Sequence, residues 1–214
     1  MERDFENRQV VVTGGTGELG RAVVAALEAR GAVCHVPRHR DVDLADETAV
    51  RTYYDSVPVL WASVHCAGGF EAGPFEQSSA ESFERMMRIN ARTAFLCCRG
   101  AVARMGREGG RIVNVVARPA LDPSAGAGMI AYTMSKAAVA ALTVALAREL
   151  RDRGIRVNAV APSILDTPTN RRAMPDADPA AWPSVEEVAR VVALLVSPSN
   201  RAVGGALVPV YGSA

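Results

Sequence analysis

The fold is decided by Gln9-Val10-Val11-Val12-Thr13-Gly14-Gly15-Thr16-Gly17-Glu18-Leu19-Gly20. The first five residues form an apolar run typical of a buried strand. From Glu18 to Arg30 apolar residues recur at helical spacing, and Gly31 ends the pattern. The glycines between strand and helix let the backbone approach a pyrophosphate, and the helix N-terminus adds free N–H groups and positive partial charge. This order of strand, glycine loop and helix predicts a dinucleotide-binding loop.

The rest of the chain alternates predicted strands with predicted helices. We expect further strands at Ala32–Val36, Val59–Cys66, Arg111–Val116, Ile155–Val160 and Ala206–Val210, and further helices at Asp46–Ser56, Ser79–Arg107, Met129–Arg153 and Ser184–Ser197. Such alternation predicts one α/β domain over residues 1–214, with a doubly wound, Rossmann-like parallel sheet and helices on both faces. The Pro-rich stretch from Pro162 to Pro183 is predicted to be a mobile loop over a site.

Composition narrows the class of protein. Hydrophobic residues make up 49% and charged residues 22%, and the net charge of +1 gives no electrostatic reason to expect a nucleic-acid or membrane partner. The charged N-terminus does not resemble a signal peptide and no apolar run approaches bilayer length, so we expect a cytoplasmic protein. The cysteines and histidines show no metal-ligand spacing, so free thiols and no metal site are expected.

The basic residues are unevenly divided between lysine and arginine. Of the 24 strong bases, one is lysine, Lys136, four residues after Tyr132 in Tyr132-Thr133-Met134-Ser135-Lys136. Positions i and i+4 share a helix face, so the phenol and the ammonium can point into one site. A nearby cation favours phenolate and would lower the pKa of Tyr132, which would let this residue exchange a proton in catalysis. By itself the spacing is common on helices that have no such function.

Six motifs in order make the chain resemble the short-chain dehydrogenase/reductase family over nearly its whole length. The motifs are the loop Thr13–Gly20, Cys66-Ala67-Gly68-Gly69, Arg88-Ile89-Asn90-Ala91, Gly110-Arg111-Ile112-Val113-Asn114, the Tyr132/Lys136 pair, and Val157-Asn158-Ala159-Val160-Ala161-Pro162 continuing to Thr167.

The resemblance implies a role for each motif. Tyr132 is expected to be the general acid, Lys136 to lower its pKa and hold the nicotinamide ribose, and Asn90 to hold a proton-relaying water. A nicotinamide dinucleotide is the implied cofactor. Its expected contacts are Gly14, Thr16, Gly17, Leu19, Gly20, Arg38, Asp43, Leu44, Ala67, Gly68, Lys136, Pro162, Ile164 and Thr167.

Two positions depart from the family pattern. Glu18 stands where one glycine spacing of the family has glycine, so we prefer the register of Gly14, Gly17 and Gly20 and expect Glu18 to point outward. Ala117 occupies the position of the family's catalytic serine, and Ser124 is a weak candidate to replace it. The dihydropteridine reductase branch also lacks this serine and has a run similar to Ala117-Arg118-Pro119-Ala120-Leu121-Asp122.

A third departure follows the second strand, which runs almost directly into Arg38-His39-Arg40-Asp41-Val42-Asp43-Leu44. The family's usual helix and part of its third strand are missing there, so the fold is expected to be shortened. Family members that prefer NAD have an acidic residue at the position of Arg38. Because arginine suits a 2′-phosphate, NADP(H) is favoured over NAD(H), although Arg38 and Arg40 can also be read as solvated loop residues.

Together these observations predict an NADP(H)-dependent oxidoreductase that transfers hydride to a small carbonyl, quinonoid or conjugated acceptor. One alternative is a 3-oxoacyl or broad carbonyl reductase. Another, from a different class, is a catalytically degenerate nucleotide-binding sensor or scaffold, because Glu18 and Ala117 can be read as lesions. The Ala-rich helix Met129–Arg153 is of a kind that packs against its own copy, so we expect a homodimer or homotetramer.

Overall fold

The computed structural model describes residues 4–213, which form one parallel six-stranded sheet in the order β2-β1-β3-β4-β5-β6. The strands are β1 Gln9–Thr13, β2 Val33–His35, β3 Leu60–His65, β4 Gly110–Val115, β5 Ile155–Pro162 and β6 Leu207–Val210. Because all neighbouring pairs are parallel, every strand starts at one edge of the sheet and ends at the other. The predicted doubly wound α/β fold is confirmed.

Helices cover both faces of this sheet. They are α1 Glu18–Glu28, α2 Glu47–Ser56, α3 Ala80–Met86, α4 Thr93–Arg104, α5 Arg118–Leu121, α6 Ile130–Glu149, α7 Pro168–Ala173 and α8 Val185–Val196. Helices α1 and α8 pack together over one face, where Val23 and Val192 join the core. Helices α2, α4 and α6 pack over the other face, around Tyr54 and Leu96. Burial of each such apolar side chain contributes about 1.5–3 kcal/mol.

The segment after β2 is short, as the sequence predicts. Strand β2 has three residues and forms the sheet edge beside β1. The chain then turns, with the Arg38 carbonyl accepting from the amides of Asp41 and Val42, and reaches α2 without another helix or strand among the described residues. Asp46 caps α2 by accepting from the Ala49 amide at 2.7 Å. The expected shortening is therefore confirmed.

Three predicted elements differ from the structure. The predicted helix Ser79–Arg107 is α3 and α4 joined by a π-helical segment, Met87–Arg92, with Asn90 inside it. The helix predicted to end at Arg153 ends at Glu149, because a 3₁₀ turn and a left-handed glycine follow. The stretch predicted as a loop contains α7, which has few apolar residues but is capped by Thr167 and begins with a proline.

Helix α6 is long and apolar enough, by length and composition, to cross a membrane, with a mean hydropathy of 1.5 over its most apolar window. The expectation that no stretch approaches this length is wrong for α6. In this fold the helix packs against α3, α5 and β5 and buries Lys136 and Thr143, as a core helix does. Only 33% of the window is buried, so much of the helix faces outward.

Candidate active site

Several of the predicted site residues follow the carboxyl ends of the strands. The glycine loop follows β1, Ala67 and Gly68 follow β3, and Ala117 follows β4. In a parallel sheet, ligands bind outside the carboxyl ends of the strands, near the point where strand order reverses. Here that point lies between β1 and β3, which are neighbours although β2 separates them in the chain.

The loop after β1 has the shape of an anion cradle. Gly14 has φ +66°, and a Cβ there would lie 2.6 Å from the Ala67 amide nitrogen. A Cβ on Gly20 would lie 2.1 Å from the Gly14 carbonyl oxygen, so α1 approaches the loop only because this residue is glycine. Gly17 is exposed at the N-terminus of α1, and no side chain caps the helix. The first amides of α1 therefore remain open to a ligand.

Tyr132 and Lys136 lie on the first two turns of α6. The Lys136 ammonium donates to the Val115 carbonyl at 2.9 Å and lies 5.9 Å from the centre of the Tyr132 ring. Burial lowers the pKa of Lys136 to about 8, an effect that the nearby Cys66 partly offsets. Burial raises the pKa of Tyr132 to about 12. The expected lowering of the Tyr132 pKa by Lys136 is therefore wrong for this structure, because desolvation outweighs the distant charge.

Asn90 is fixed by a network that sequence reasoning missed. Its Oδ1 accepts from the Gly69 amide at 3.0 Å, and its Nδ2 donates to the Gly69 carbonyl and to Ser135 Oγ at the same distance. Ser135 Oγ in turn donates to the Tyr132 carbonyl at 2.7 Å. Both N–H groups of the Asn90 amide are thus bonded to protein. A possible sequence signal was the hydroxyl residue three positions after Tyr132, a spacing that reaches back to the helix backbone.

The serine position of the family is filled by a buried methyl group. Ala117 directly precedes α5, which packs against α6. Ser124 does not replace the missing hydroxyl, because its Oγ donates to Asp122 Oδ1 at 2.5 Å on an exposed 3₁₀ turn. Among residues 4–213 the Tyr132 hydroxyl has no hydrogen-bond partner.

Arg38, Asp43 and Leu44, which are predicted to contact the adenosine end, follow a segment that packs on the glycine loop. Val36 packs where a Cβ on Gly15 would lie, 2.8 Å from the valine side chain. Two residues later, Arg38 is exposed and its guanidinium has no hydrogen-bond or ion-pair partner among the described residues. Asp43, by contrast, is engaged: it accepts from the Ala45 amide at 2.8 Å and pairs with Arg88 at 2.9 Å. Leu44 follows it and is half-buried.

The end of β5 and the segment after it contain the residues predicted to bind the nicotinamide end of the cofactor. Pro162 is the buried last residue of β5, Ile164 is 41% exposed, and Thr167 Oγ1 accepts from the Asn170 amide to cap α7. These residues follow the carboxyl end of β5, and α7 makes the segment more ordered than a plain loop. No cluster of metal-ligand side chains occurs within residues 4–213, and the four cysteines are free.

An exposed aromatic side chain contacts the Tyr132 ring. Phe70 is 63% exposed and meets the Tyr132 ring edge-on, with 5.0 Å between ring centres. A cavity of about 140 Å³ is lined by residues 71–74, 77, 78, 82 and 128–131. Within its wall, Glu71 accepts hydrogen bonds from Ser82 and Arg85. The Tyr132 ring thus has one exposed aromatic neighbour, and a small polar cavity is lined by the residues that directly precede Tyr132.

Residues 5–212 match a family model described as enoyl-(acyl carrier protein) reductase. The chain belongs to the short-chain dehydrogenase/reductase family. One relative, 2,5-dichloro-2,5-cyclohexadiene-1,4-diol dehydrogenase LinX from Sphingobium indicum, is 30% identical over 173 residues, which cover 80% of this chain and 68% of that protein. The family places this chain among oxidoreductases that use NAD(P).

Solved structures of the family have the same fold. A short-chain type dehydrogenase/reductase from Mycobacterium ulcerans superimposes with a TM-score of 0.90 at 26% identity, covering 98% of this chain and 90% of that one. A blue fluorescent protein from a metagenomic library, solved in complex with NADPH, gives a TM-score of 0.86 at 29% identity, with 98% of both chains covered. The shortening after β2 therefore leaves the family architecture intact.

Proposed function

We propose that this short-chain dehydrogenase/reductase is an NADP(H)-dependent reductase of a small conjugated or quinonoid acceptor, with Tyr132 as its proton donor. One observation carries the proposal. The Tyr132 hydroxyl is without a protein hydrogen-bond partner in the described chain, while Lys136 is buried one turn further along α6. A phenol without a protein partner at the carboxyl edge is positioned to bond a substrate atom.

The carboxyl edge fits a dinucleotide. The uncapped N-terminus of α1 and the open space in front of Gly17 suit a pyrophosphate, because a Cβ there would meet only the Gly14 carbonyl, at 3.3 Å. Gly68 leaves room beside Asn90 and Lys136, where a Cβ would lie 2.5 Å and 3.3 Å from their polar atoms. Lys136 has three N–H donors and uses one on Val115, so two remain for ribose hydroxyls. The bound nicotinamide would supply the hydride.

Proton transfer rests on the different pKa values of the two side chains. With its pKa raised to about 12, Tyr132 stays protonated at neutral pH and can donate. Lys136, with its pKa lowered to about 8, changes charge near working pH and can return a proton to the tyrosine. Asn90 and Ser135 act as positioning residues, since they bind the Gly69 backbone and the Tyr132 carbonyl.

The absence of the family's serine at residue 117 affects which hydride acceptors the site can reduce. Without a hydroxyl at Ala117, Tyr132 must supply the proton with little further polarisation of a ketone oxygen. A quinonoid or conjugated ring delocalises the electron pair that arrives with the hydride, so it depends less on such polarisation and suits this pair better. The ring of Phe70, which is 63% exposed and contacts the phenol, supports binding of a flat ring beside Tyr132.

The cofactor preference rests on Arg38. Its guanidinium has no partner in the described chain and follows Val36, which contacts the glycine loop. A free guanidinium beside the adenosine end suits the 2′-phosphate of NADP(H), since bidentate arginine–phosphate bonds are strong and specific. The relative solved in complex with NADPH supports this choice.

The outward face of α6 supports a homodimer or homotetramer. Met134 and Val144 are 50% and 47% exposed on a helix that is apolar over most of its length. An apolar helix face of this kind is stabilised by burial against a second copy.

The substitution Tyr132→Phe tests the proposal. We expect NADPH affinity to be unchanged and turnover to fall about 10²–10⁴-fold, because the general acid is lost while the fold is kept. The assay is NADPH oxidation with a panel of quinonoid dihydropterins, quinones and ketones. If the wild type binds NADPH but neither form turns over any acceptor, the chain is a nucleotide-binding sensor. Equal turnover by both forms would show that Tyr132 is not the proton donor.

A 3-oxoacyl or broad carbonyl reductase is the second candidate, and the family model's acyl carrier protein description favours it. The same panel, extended to acyl thioesters, distinguishes the two. Turnover of thioesters without turnover of quinonoid rings selects the second candidate and rejects the first.

A further inference from the structure

Four arginines converge at the opposite edge of the sheet, where the strands begin. Arg8 immediately precedes β1, Arg111 and Arg156 are paired near the starts of β4 and β5, and Arg201 lies shortly before β6. They line a cavity of about 390 Å³ together with Trp61 of β3. Arg111 and Val115 are four residues apart on β4, so this cavity lies about 13 Å from the carboxyl edge.

Trp61 holds two of the guanidiniums in place. The Arg8 guanidinium carbon lies 3.9 Å from the centre of the Trp61 ring, and that of Arg111 lies 4.8 Å from it. The indole nitrogen donates to the Val196 carbonyl at 2.9 Å, which fixes the ring against α8. Two cations are thus held close together by one aromatic side chain.

Each of the two strand arginines has one buried donor atom without a hydrogen-bond partner. Arg111 is 6% exposed; its Nη1 donates to the carbonyls of Gly110 and Gly154, but its Nε has no partner. Arg156 donates twice to the Arg201 carbonyl, at 3.1 and 3.2 Å, while its Nη1 is buried without a partner. Buried donors left without an acceptor are rare and costly, and each calls for an explanation.

The four guanidiniums also lack ion-pair partners among the described residues. No salt bridge joins any of the four guanidiniums to a carboxylate of residues 4–213. Glu108 lines the cavity but pairs with none of them within 4 Å. Burial, together with the charges of Arg156, Arg8 and Arg201, lowers the pKa of Arg111 to about 10, which leaves it charged at neutral pH. The cavity therefore concentrates unneutralised positive charge.

We propose that this cavity is a second binding site, for a compact multivalent phosphate anion, separate from the carboxyl edge. Arginine is the residue that recognises phosphate by paired hydrogen bonds. Both guanidiniums at Trp61 already lie over its ring, so the indole is not free to stack on a nucleobase. Four arginines in one concave space suit a small polyanion, whereas an extended nucleic acid would need a charged stripe.

Calorimetric titration with pyrophosphate at low salt tests this site. Arg201 is exposed and its side chain has no partner in the described chain, so Arg201→Gln is expected to fold normally. We expect the wild type to bind pyrophosphate, and Arg201→Gln and Arg8→Gln each to bind about tenfold more weakly, because each loses one charge-assisted contact. Sulfate, with one charged centre, is expected to bind more weakly than pyrophosphate.

Arg51→Gln is the matched control, since Arg51 is an exposed arginine on α2 without a partner in residues 4–213. Its affinity for pyrophosphate is expected to equal that of the wild type. Two results would overturn the proposal: absence of binding by the wild type, or equal binding by the wild type, Arg201→Gln and Arg8→Gln. Equal binding would place the anion elsewhere, such as the glycine loop.

Discussion

The two edges of one sheet hold cations of different kinds. At the carboxyl edge, the chain's single lysine is buried beside a tyrosine, and burial lowers its pKa to about 8. At the amino edge, Arg111 is equally buried among three other arginines, yet its pKa falls only to about 10. The first cation can lose its proton near neutral pH and the second cannot. One edge is therefore suited to proton transfer and the other to holding negative charge.

The largest effect that tests this contrast is a pH-dependent change in stability. The folded-state pKa of Lys136, about 8, lies below its ordinary value of 10.5, so the folded chain releases this proton first. The wild type should therefore gain stability relative to Lys136→Met as the pH rises from about 8 toward 10.5, by up to about 3 kcal/mol. Urea unfolding of both proteins at several pH values measures the difference.

Arg8→Met is the control at the amino edge. Because Arg111, with its pKa of about 10, stays mostly charged up to about pH 9, the stability difference between Arg8→Met and the wild type should not change with pH from 8 to 9. A pH-independent difference for Lys136→Met as well would show that its ammonium titrates normally, and the contrast between the edges would be lost.

A smaller effect concerns the arginine that lies at the carboxyl edge. Arg38→Gln is expected to weaken NADPH binding about tenfold and to leave NADH binding unchanged, because only NADPH carries the 2′-phosphate. Fluorescence titration with both nucleotides measures the two affinities, and Arg51→Gln serves as the control. Binding of NADH by the wild type as tight as that of NADPH would remove the basis for the proposed preference.

The fold could be predicted because its signals are local. The apolar run of β1, the glycines after it and the helical spacing of α1 lie within about 20 consecutive residues, and each specifies its own element. The short segment after β2 could also be predicted, because no helical pattern separates the strand from Arg38. By contrast, α7 was missed because six mostly polar residues carry no apolar periodicity.

The site was only partly predictable because its energetics depend on distant contacts. The four-residue spacing correctly predicted that Tyr132 and Lys136 lie on one face of a helix. The pKa of Tyr132, however, depends on burial, which the spacing does not reveal. The bonds from Asn90 to Gly69 and Ser135 join residues 21 and 45 positions apart. The arginine cavity was missed for the same reason: its members look scattered in the sequence and meet only because parallel strands begin at one edge.

The central claim, that the glycine loop binds the phosphates of a dinucleotide, is tested most directly by Gly17→Asp. Aspartate is a favoured helix N-cap, so the fold should be kept or stabilised, while its carboxylate would occupy the α1 amides and repel a pyrophosphate. Gly106→Asp is the matched control, because an added Cβ meets its nearest atom at 3.3 Å at both positions.

The measurement is NADPH affinity by fluorescence titration, with melting temperatures recorded alongside. We predict that Gly17→Asp loses NADPH binding by at least about tenfold with no loss of melting temperature, while Gly106→Asp binds like the wild type. NADPH binding by Gly17→Asp that equals the wild type would contradict the claim.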